Sequence, residues 1–195
     1  RRVRADMDWW IAAIDAGMAS EGVHVLDYKY SPDVIAMGDA GSEWGLGGHT
    51  HNEFYCAKTP QHILQAAMRK TRLSSKCLEL FQMLVMVRIF GETWKGCHVR
   101  VYTDNLAIRG LIERMYSSKQ FEGDVLREIA MRQTLQGWSW EVLWCSRTKN
   151  EAADALSKNN ISKFLALTKK PMKRRRVTTD HLCMPCIIIP GKKLI

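Results

Sequence analysis

The 195-residue sequence predicts an α/β fold, a five-stranded mixed sheet flanked by helices. Three observations point to it. Short apolar segments broken by turn residues fill the stretch 34–58, as in an antiparallel meander. A long helical pattern with a wide apolar face follows over 74–90. Beyond it strand and helix patterns alternate, so the order reads β-β-β-α-β-α-α-β-α.

The elements are justified in turn. Asp6 to Ile14 has amphipathic helical spacing, with Trp10, Ile11 and Ile14 on one face that is expected to pack against the body. Residues 22–32 form a connector, with room for a short strand at 23–26. Residues 34–40 make an apolar strand that ends in an acid, Asp39. Residues 42–49 and 53–58 follow as strands joined by the turn-forming His49-Thr50-His51-Asn52. Gly45-Leu46-Gly47-Gly48 does not lead from strand to helix at dinucleotide-binding spacing, so its glycines mark close approach or bulges. The helix over 74–90 has Ser74 or Ser75 as N-cap and Gly91 as its stop. Residues 98–104 alternate like a strand and again end in an acid, Asp104. Helices are expected over 105–115 and 122–136, a strand over 138–145, and helices over 150–157 and 161–167. Trp138, Trp140 and Trp144 fall at even spacing on that last strand, which points to core packing rather than base stacking.

Apolar residues make up 46% and charged residues 25%, the balance of a globular domain. The longest apolar runs fall far short of the ~20 residues of a membrane span, so no membrane partner is expected. The chain opens Arg-Arg without a methionine or signal peptide and reads as a fragment of something longer. The net charge of +9 suggests an anionic partner, with nucleic acid the default. That charge is unevenly placed. Residues 1–158 hold 20 basic and 19 acidic side chains, whereas residues 159–195 hold nine and one. The organisation read from this is an N-terminal helix and connector (1–32), a catalytic-type domain (33–158) and a basic C-terminal extension (159–195).

Six scattered cysteines fit reduced thiols in the nucleus or cytoplasm better than a disulfide framework. Cys183 and Cys186, with His181 nearby, could be half a zinc site, but no second pair at zinc-finger spacing follows.

Four acids stand out by position. Asp39 and Asp104 end apolar strands, where α/β sheets place ligands. Glu79 sits among apolar neighbours in the long helix, and Asp154 lies just inside the helix over 150–157. An acid there is costly unless it is paired or bound to metal. If the two strands are adjacent, the acids cluster and repel one another without divalent cations. Hard oxygen ligands of this kind suit magnesium or manganese. Two such ions about 3.5–4 Å apart can activate water and stabilise the leaving oxygen in phosphodiester cleavage. Taken singly, each acid could equally be a cap or a surface residue.

The order and contexts of these acids resemble the ribonuclease H domain of reverse transcriptases. The matching segments are Gly38-Asp39-Ala40-Gly41-Ser42-Glu43-Trp44-Gly45-Leu46-Gly47-Gly48, Cys77-Leu78-Glu79-Leu80, Val101-Tyr102-Thr103-Asp104-Asn105 and Asn150-Glu151-Ala152-Ala153-Asp154-Ala155-Leu156-Ser157. Together they span most of the chain, residues 34–158. The Asp8-Trp9-Trp10 helix and the Thr103-Asp104-Asn105 form are most similar to DIRS-like retrotransposons of the tyrosine-recombinase type.

The resemblance implies a ribonuclease H-like fold and a metal-dependent endonuclease that cleaves the RNA strand of RNA–DNA hybrids during reverse transcription. Asp39, Glu79, Asp104 and Asp154 would be both catalytic and metal-binding, with Asp39 bridging two Mg2+ or Mn2+ ions. Asn105 and Ser75 match positions near the substrate strand. Cleavage would leave a 3′-hydroxyl and a 5′-phosphate, and 2′-hydroxyl contacts would separate RNA from DNA. The polymerase domain of the parent reverse transcriptase is the implied partner.

Two departures matter. The family often carries a histidine in the loop before the last Asp, whereas Cys145-Ser146-Arg147-Thr148-Lys149-Asn150 has none. Arg147 or Lys149 could contact phosphate instead. The basic protruding helix-loop of cellular members is replaced by two helices of mixed charge over 105–136. Hybrid affinity would then lean on other basic segments. Arg69-Lys70-Thr71-Arg72 precedes the catalytic helix, and Arg72 is the candidate substrate contact there. The run Lys169-Lys170-Pro171-Met172-Lys173-Arg174-Arg175-Arg176 reads either as a nucleic-acid or nuclear-import segment or as a flexible linker. The alternative to an active nuclease is a catalytically weak or inactive module of the same fold within a larger nucleic-acid assembly. Transposases and integrases fit less well, because their glutamate comes last in the chain.

Overall fold

The computed structural model describes residues 2–15, 31–69 and 72–185. The strands are β1 (Val34–Ala40), β2 (Gly45–His49), β3 (Glu53–Lys58), β4 (Met68–Arg69), β5 (Arg72–Leu73), β6 (His98–Thr103), β7 (Ser139–Trp144) and β8 (Lys173–Arg174). The helices are α1 (Arg2–Asp15), α2 (Gln61–Ala67), α3 (Ser75–Phe90), α4 (Leu106–Arg114), α5 (Gln120–Gln136), α6 (Glu151–Ser157) and α7 (Ile161–Thr168).

The main sheet has the order β7-β6-β1-β2-β3-β8. β1, β2 and β3 form the expected antiparallel meander. β6 and β7 join β1 in parallel through helical crossovers. The fold is thus α/β, with the mixed sheet and flanking helices that the ribonuclease H resemblance implied. A sixth strand, β8, is added to the expected five. It lies parallel to β3, pairing Glu53 with Lys173 and Phe54 with Arg174.

α3 is the central helix. Its side chains from Leu80 to Phe90 are all buried. A single apolar face was expected, but the sheet covers one side and α5 with the C-terminal segment covers the other. Ser74 is the cap, its hydroxyl accepting from the Cys77 amide. Polar groups in this core are matched, as burial requires. Gln82 donates to Gly47 O and to the Tyr55 hydroxyl, and that hydroxyl donates to Gln82 O. Burial pushes the Tyr55 phenol well above its usual range.

α1 departs from expectation. Trp9, Ala12 and Ala13 pack on Met131 of α5, and the Trp9 indole donates to Arg127 O. Trp10, Ile11 and Ile14 instead point outward, each more than half exposed. The small alanines allow close approach to α5, so the inward face is offset from the one that hydropathy alone selects. The possible strand at 23–26 lies outside the described residues.

α2, the β4–β5 hairpin and β8 were not foreseen. The hairpin holds Arg69 and Arg72 in its backbone pairing. No helix among the described residues is long and apolar enough to cross a membrane. Among the described residues Cys56, Cys77, Cys97, Cys145 and Cys183 form no disulfide. His181 accepts from Thr178 through Nδ1 and the Cys183 thiol faces Asp180 O, whereas Cys186 lies outside the described residues.

The C-terminal segment is stitched to the body. Lys173 N donates to Asn52 O and Arg175 N to Phe54 O, both at 2.8 Å. The Arg175 guanidinium reaches Glu53 and Ile89 O. Further on, the buried Arg88 grips Glu128 with two hydrogen bonds of 2.7 and 2.5 Å. The same guanidinium donates to the carbonyls of His181, Cys183 and Met184. This contradicts a flexible linker: residues 172–184 are pinned by backbone pairing and a buried ion pair.

Candidate active site

Parallel pairing of β1 with β6 aligns Val34 with Val99 and Met37 with Tyr102. Asp39 on β1 and Asp104 just past β6 therefore emerge at the same edge of the sheet. α3 begins at that edge and presents Glu79 in its second turn. The loop after β7 leads into α6, which carries Asp154. All four acids are half-buried and line one open cavity of about 920 Å³.

Gly47 makes the approach of α6 possible. It pairs with Asp39 across the sheet, and a Cβ on it would run into Leu156 and the Ser157 amide. This is the close approach that the glycine-rich strand predicted. A second small core (Phe54, Cys56, Ala155, Leu156 and Phe164) seals α6 and α7 to β3.

Each acid has a specific partner. Ser157 donates to Asp39 Oδ2 at 2.5 Å. Asn105 donates to Glu79 Oε1 at 3.0 Å while its own oxygen caps α4 by accepting from Ala107 N. Arg147 Nε lies 3.4 Å from Asp104 Oδ2. Lys158 Nζ lies 2.7 Å from Asp154 Oδ1.

Burial is the main force on the inner pair. It raises the Asp39 carboxyl above its ordinary value, against the Ser157 hydrogen bond, and the charges of Asp104 and Asp154 push the same way. Burial likewise lifts Glu79 to about 7, against the Asn105 hydrogen bond, with Asp104 and Asp39 adding repulsion. Both shifts favour the neutral carboxyl, so an added positive charge would stabilise the ionised forms.

Of the substrate candidates, Asn105, Ser75 and Arg147 line the cavity. Lys149 is exposed and is not among the lining residues. The loop turns back through Lys149 N bonded to Ser146 O, which keeps Arg147 rather than Lys149 at the cavity. The side chain of Arg72 lies outside the described residues.

Sequence reading missed several residues at the site. Ser157, which bonds Asp39, and Lys158, which lines the cavity, sit three and four residues after Asp154, and helical spacing was the signal that could have found them. Lys163, from the first turns of α7, also lines the cavity and pairs with Glu151 at 2.7 Å. Trp144 departs from the expected core role. Trp138 is buried and Trp140 packs on the core, but Trp144 is 48% exposed, lines the cavity and donates its indole N–H to Asp104 O. β7 ends there, so its last side chain has no layer to pack under.

Among the described residues, no three His, Cys, Asp or Glu side chains are gathered tightly enough to hold a metal ion as they stand. The chemistry of the donor set nevertheless fits hard-cation binding: four carboxylates face one cavity, two with raised proton affinity. Asn150, which also lines the cavity, keeps a buried Oδ1 without a partner among the described residues.

No protein-family model matches the chain, and no curated protein matches it significantly. Two solved structures are similar. One is ribonuclease H1 from the halophilic archaeon Halobacterium salinarum NRC-1, with 15% identity, a TM-score of 0.40, and coverage of 67% of this chain and 98% of that one. The other is LC11 ribonuclease H1, isolated from compost by a metagenomic approach, with 19% identity, a TM-score of 0.41, and coverage of 68% and 97%.

Proposed function

We propose that the protein is a divalent-metal-dependent endonuclease that cleaves the RNA strand of RNA–DNA hybrids. We further propose that it serves as the ribonuclease H domain of a retroelement reverse transcriptase of DIRS-like type. One observation carries the nuclease reading: Asp39, Glu79, Asp104 and Asp154, from four separate elements, converge on one open cavity at the carboxyl ends of parallel strands. The reverse-transcriptase reading rests on the four segments around Asp39, Glu79, Asp104 and Asp154, and the DIRS-like type on the Asp8-Trp9-Trp10 helix and Thr103-Asp104-Asn105. A polymerase domain of the same protein is the proposed partner, and the thiols fit work in the nucleus or cytoplasm.

Asp39, Glu79, Asp104 and Asp154 would hold Mg2+ or Mn2+. When bound, two such ions supply an activated water and Lewis-acid stabilisation of the leaving oxygen. The chain's own residues do the rest. Asn105 holds one oxygen of Glu79 toward the cavity, and Ser157 fixes one oxygen of Asp39. Arg147 and Lys163 offer positive charge to the phosphates on either side of the cleaved bond. Ser75, in the first turn of α3, and Asn105 present polar groups suited to 2′-hydroxyls.

The test is cleavage of a labelled RNA–DNA hybrid with magnesium or manganese. The expected result is metal-dependent cutting that Asp104→Asn lowers by on the order of a hundredfold or more. No cutting, even with the polymerase domain attached, would overturn the reading. A second reading, a catalytically weak or inactive module, is favoured by one specific feature: Lys158 and Arg147 already sit on Asp154 and Asp104. Intact hybrid binding without cutting would select it.

A further inference from the structure

The excess positive charge of this chain is held in a fixed place. α7 starts at the active-site cavity, where Lys163 lines the wall. It ends in Lys169, whose left-handed backbone caps the helix, and the chain continues through Lys170 and Pro171 into β8. At 1.5 Å per residue, Lys163 and Lys169 are separated by about 9 Å along the helix. That spans between two and three phosphates of one strand at about 3.4 Å of duplex axis each.

Packing and backbone pairing make the segment rigid. Phe164 is buried in the small core beside Leu156 of α6, and Met172 packs against the same core. The backbone bonds of Lys173 and Arg175 to the β3 edge then fix the chain through β8. Lys169, Lys170, Lys173, Arg174 and Arg176 are all exposed on this anchored stretch.

These cations differ from those at the cavity. Lys158 and Lys163 are ion-paired with Asp154 and Glu151. Among the described residues Lys169, Lys170 and Arg176 make no ion pair, and Arg174 makes only a contact of 3.4 Å to the Cys56 sulfur. Lys173 lies at 3.5 Å from Glu53, an acid that Arg175 already engages at 2.9 Å. The one acid between residues 159 and 195 is Asp180. A run of exposed, unneutralised cations repels itself, and it is relieved by a polyanion laid along it.

We propose that residues 169–176 form a phosphate-binding ridge that leads from the end of α7 toward the far end of the sheet and holds the backbone of an RNA–DNA hybrid away from the cleavage site. The inference rests on the nuclease reading for the identity of the duplex. The ridge would supply from the C-terminal side the positive surface that the mixed-charge helices α4 and α5 do not offer. It also commits the basic run to a structured role rather than to a linker.

The test measures hybrid affinity by fluorescence anisotropy across a range of sodium chloride, using the full chain. The variant carries Lys169→Gln, Lys170→Gln, Arg174→Gln and Arg176→Gln. Met172, Lys173 and Arg175 are kept so that β8 stays paired, and an unchanged melting midpoint verifies the fold. The slope of log affinity against log salt should become shallower by about 2 to 3, with the largest loss of affinity at low salt. A control with Lys95→Gln and Arg114→Gln, exposed cations off the cavity and ridge, should keep the wild-type slope. If wild type binds and cuts the hybrid but the ridge variant keeps the full slope, the ridge is overturned and the nuclease reading stands. If wild type neither binds nor cuts the hybrid, both fall together.

Discussion

Two charge clusters in this protein, one buried in the core and one on the wall of an open cavity, behave in opposite ways. Arg88 and Glu128 are buried, and each is met by more than one partner. The guanidinium bonds both Glu128 oxygens and three backbone carbonyls, and Arg132 adds a further bond to Glu128. At the sheet edge, Asp39 and Glu79 are half-buried with one hydrogen bond each, and their proton affinity is raised. The first cluster is balanced within the chain. The second holds carboxyls whose burial and mutual repulsion outweigh the hydrogen bond each receives, so an added positive charge would favour their ionised forms. A charge that holds structure is matched internally, whereas the inner acids of the cavity are matched only in part.

The sharpest way to break the comparison is to unbalance the balanced cluster. Arg88→Ala removes two guanidinium hydrogen bonds from the buried Glu128 and frees the carbonyls of His181, Cys183 and Met184. The expected cost is about 3–5 kcal/mol of stability in urea unfolding. A loss under about 1 kcal/mol would mean that water reaches Glu128 and the pair is not structural.

Next comes the unbalanced cluster. Asp104→Asn should lower hybrid cleavage by on the order of a hundredfold to a thousandfold, as removal of one preorganised electrostatic group does elsewhere. Its melting midpoint without metal should hold or rise, because one repelling charge is gone. Wild-type rates in that variant would remove Asp104 from the chemistry.

Asn105 sharpens the boundary between support and chemistry, since one side chain serves both. Asn105→Ser keeps a helix cap but gives up the Glu79 contact. Affinity for manganese, read from the metal-dependent rise in melting midpoint, should drop about tenfold to a hundredfold. The metal-free midpoint should move little. Equal losses with and without metal would make Asn105 a cap alone.

The smallest effect expected is in pH. Glu79 holds its proton to about 7 in the folded chain, against an ordinary 4.5 when unfolded. The folded state therefore binds more protons between those values, and stability in chelator should fall as pH rises from about 5 to about 7, then level off. Solvent screening at this half-open site reduces the effect to about 1–2 kcal/mol. Glu79→Gln should flatten that stretch of the curve, and a wild-type profile with no slope there would show Glu79 ionised throughout.

Much of the fold and of the site was legible in the residues. The strands over 34–40, 53–58 and 98–103 announced themselves by apolar runs and alternation, and the long helix by its face and by Ser74. The four acids were found because each breaks a local apolar pattern. Trp10 and Trp144 were misjudged, and the basic run stayed open between two readings, for one shared reason. Whether a side chain is covered depends on what arrives from elsewhere in the chain, and hydropathy does not carry that information.

The sequence by itself determined the elements, their order and the acids at the strand ends, since periodicity, caps and turn residues act over a few positions. Only the tertiary structure decided that Asp39, Glu79, Asp104 and Asp154 share a cavity with Lys158, Lys163 and Trp144. It also decided that the basic segment is a strand on the sheet edge, anchored where Arg88 meets carbonyls 93 to 96 residues further along the chain. Contacts at that separation are selected by packing and by the need to satisfy buried polar groups, and no local pattern encodes either.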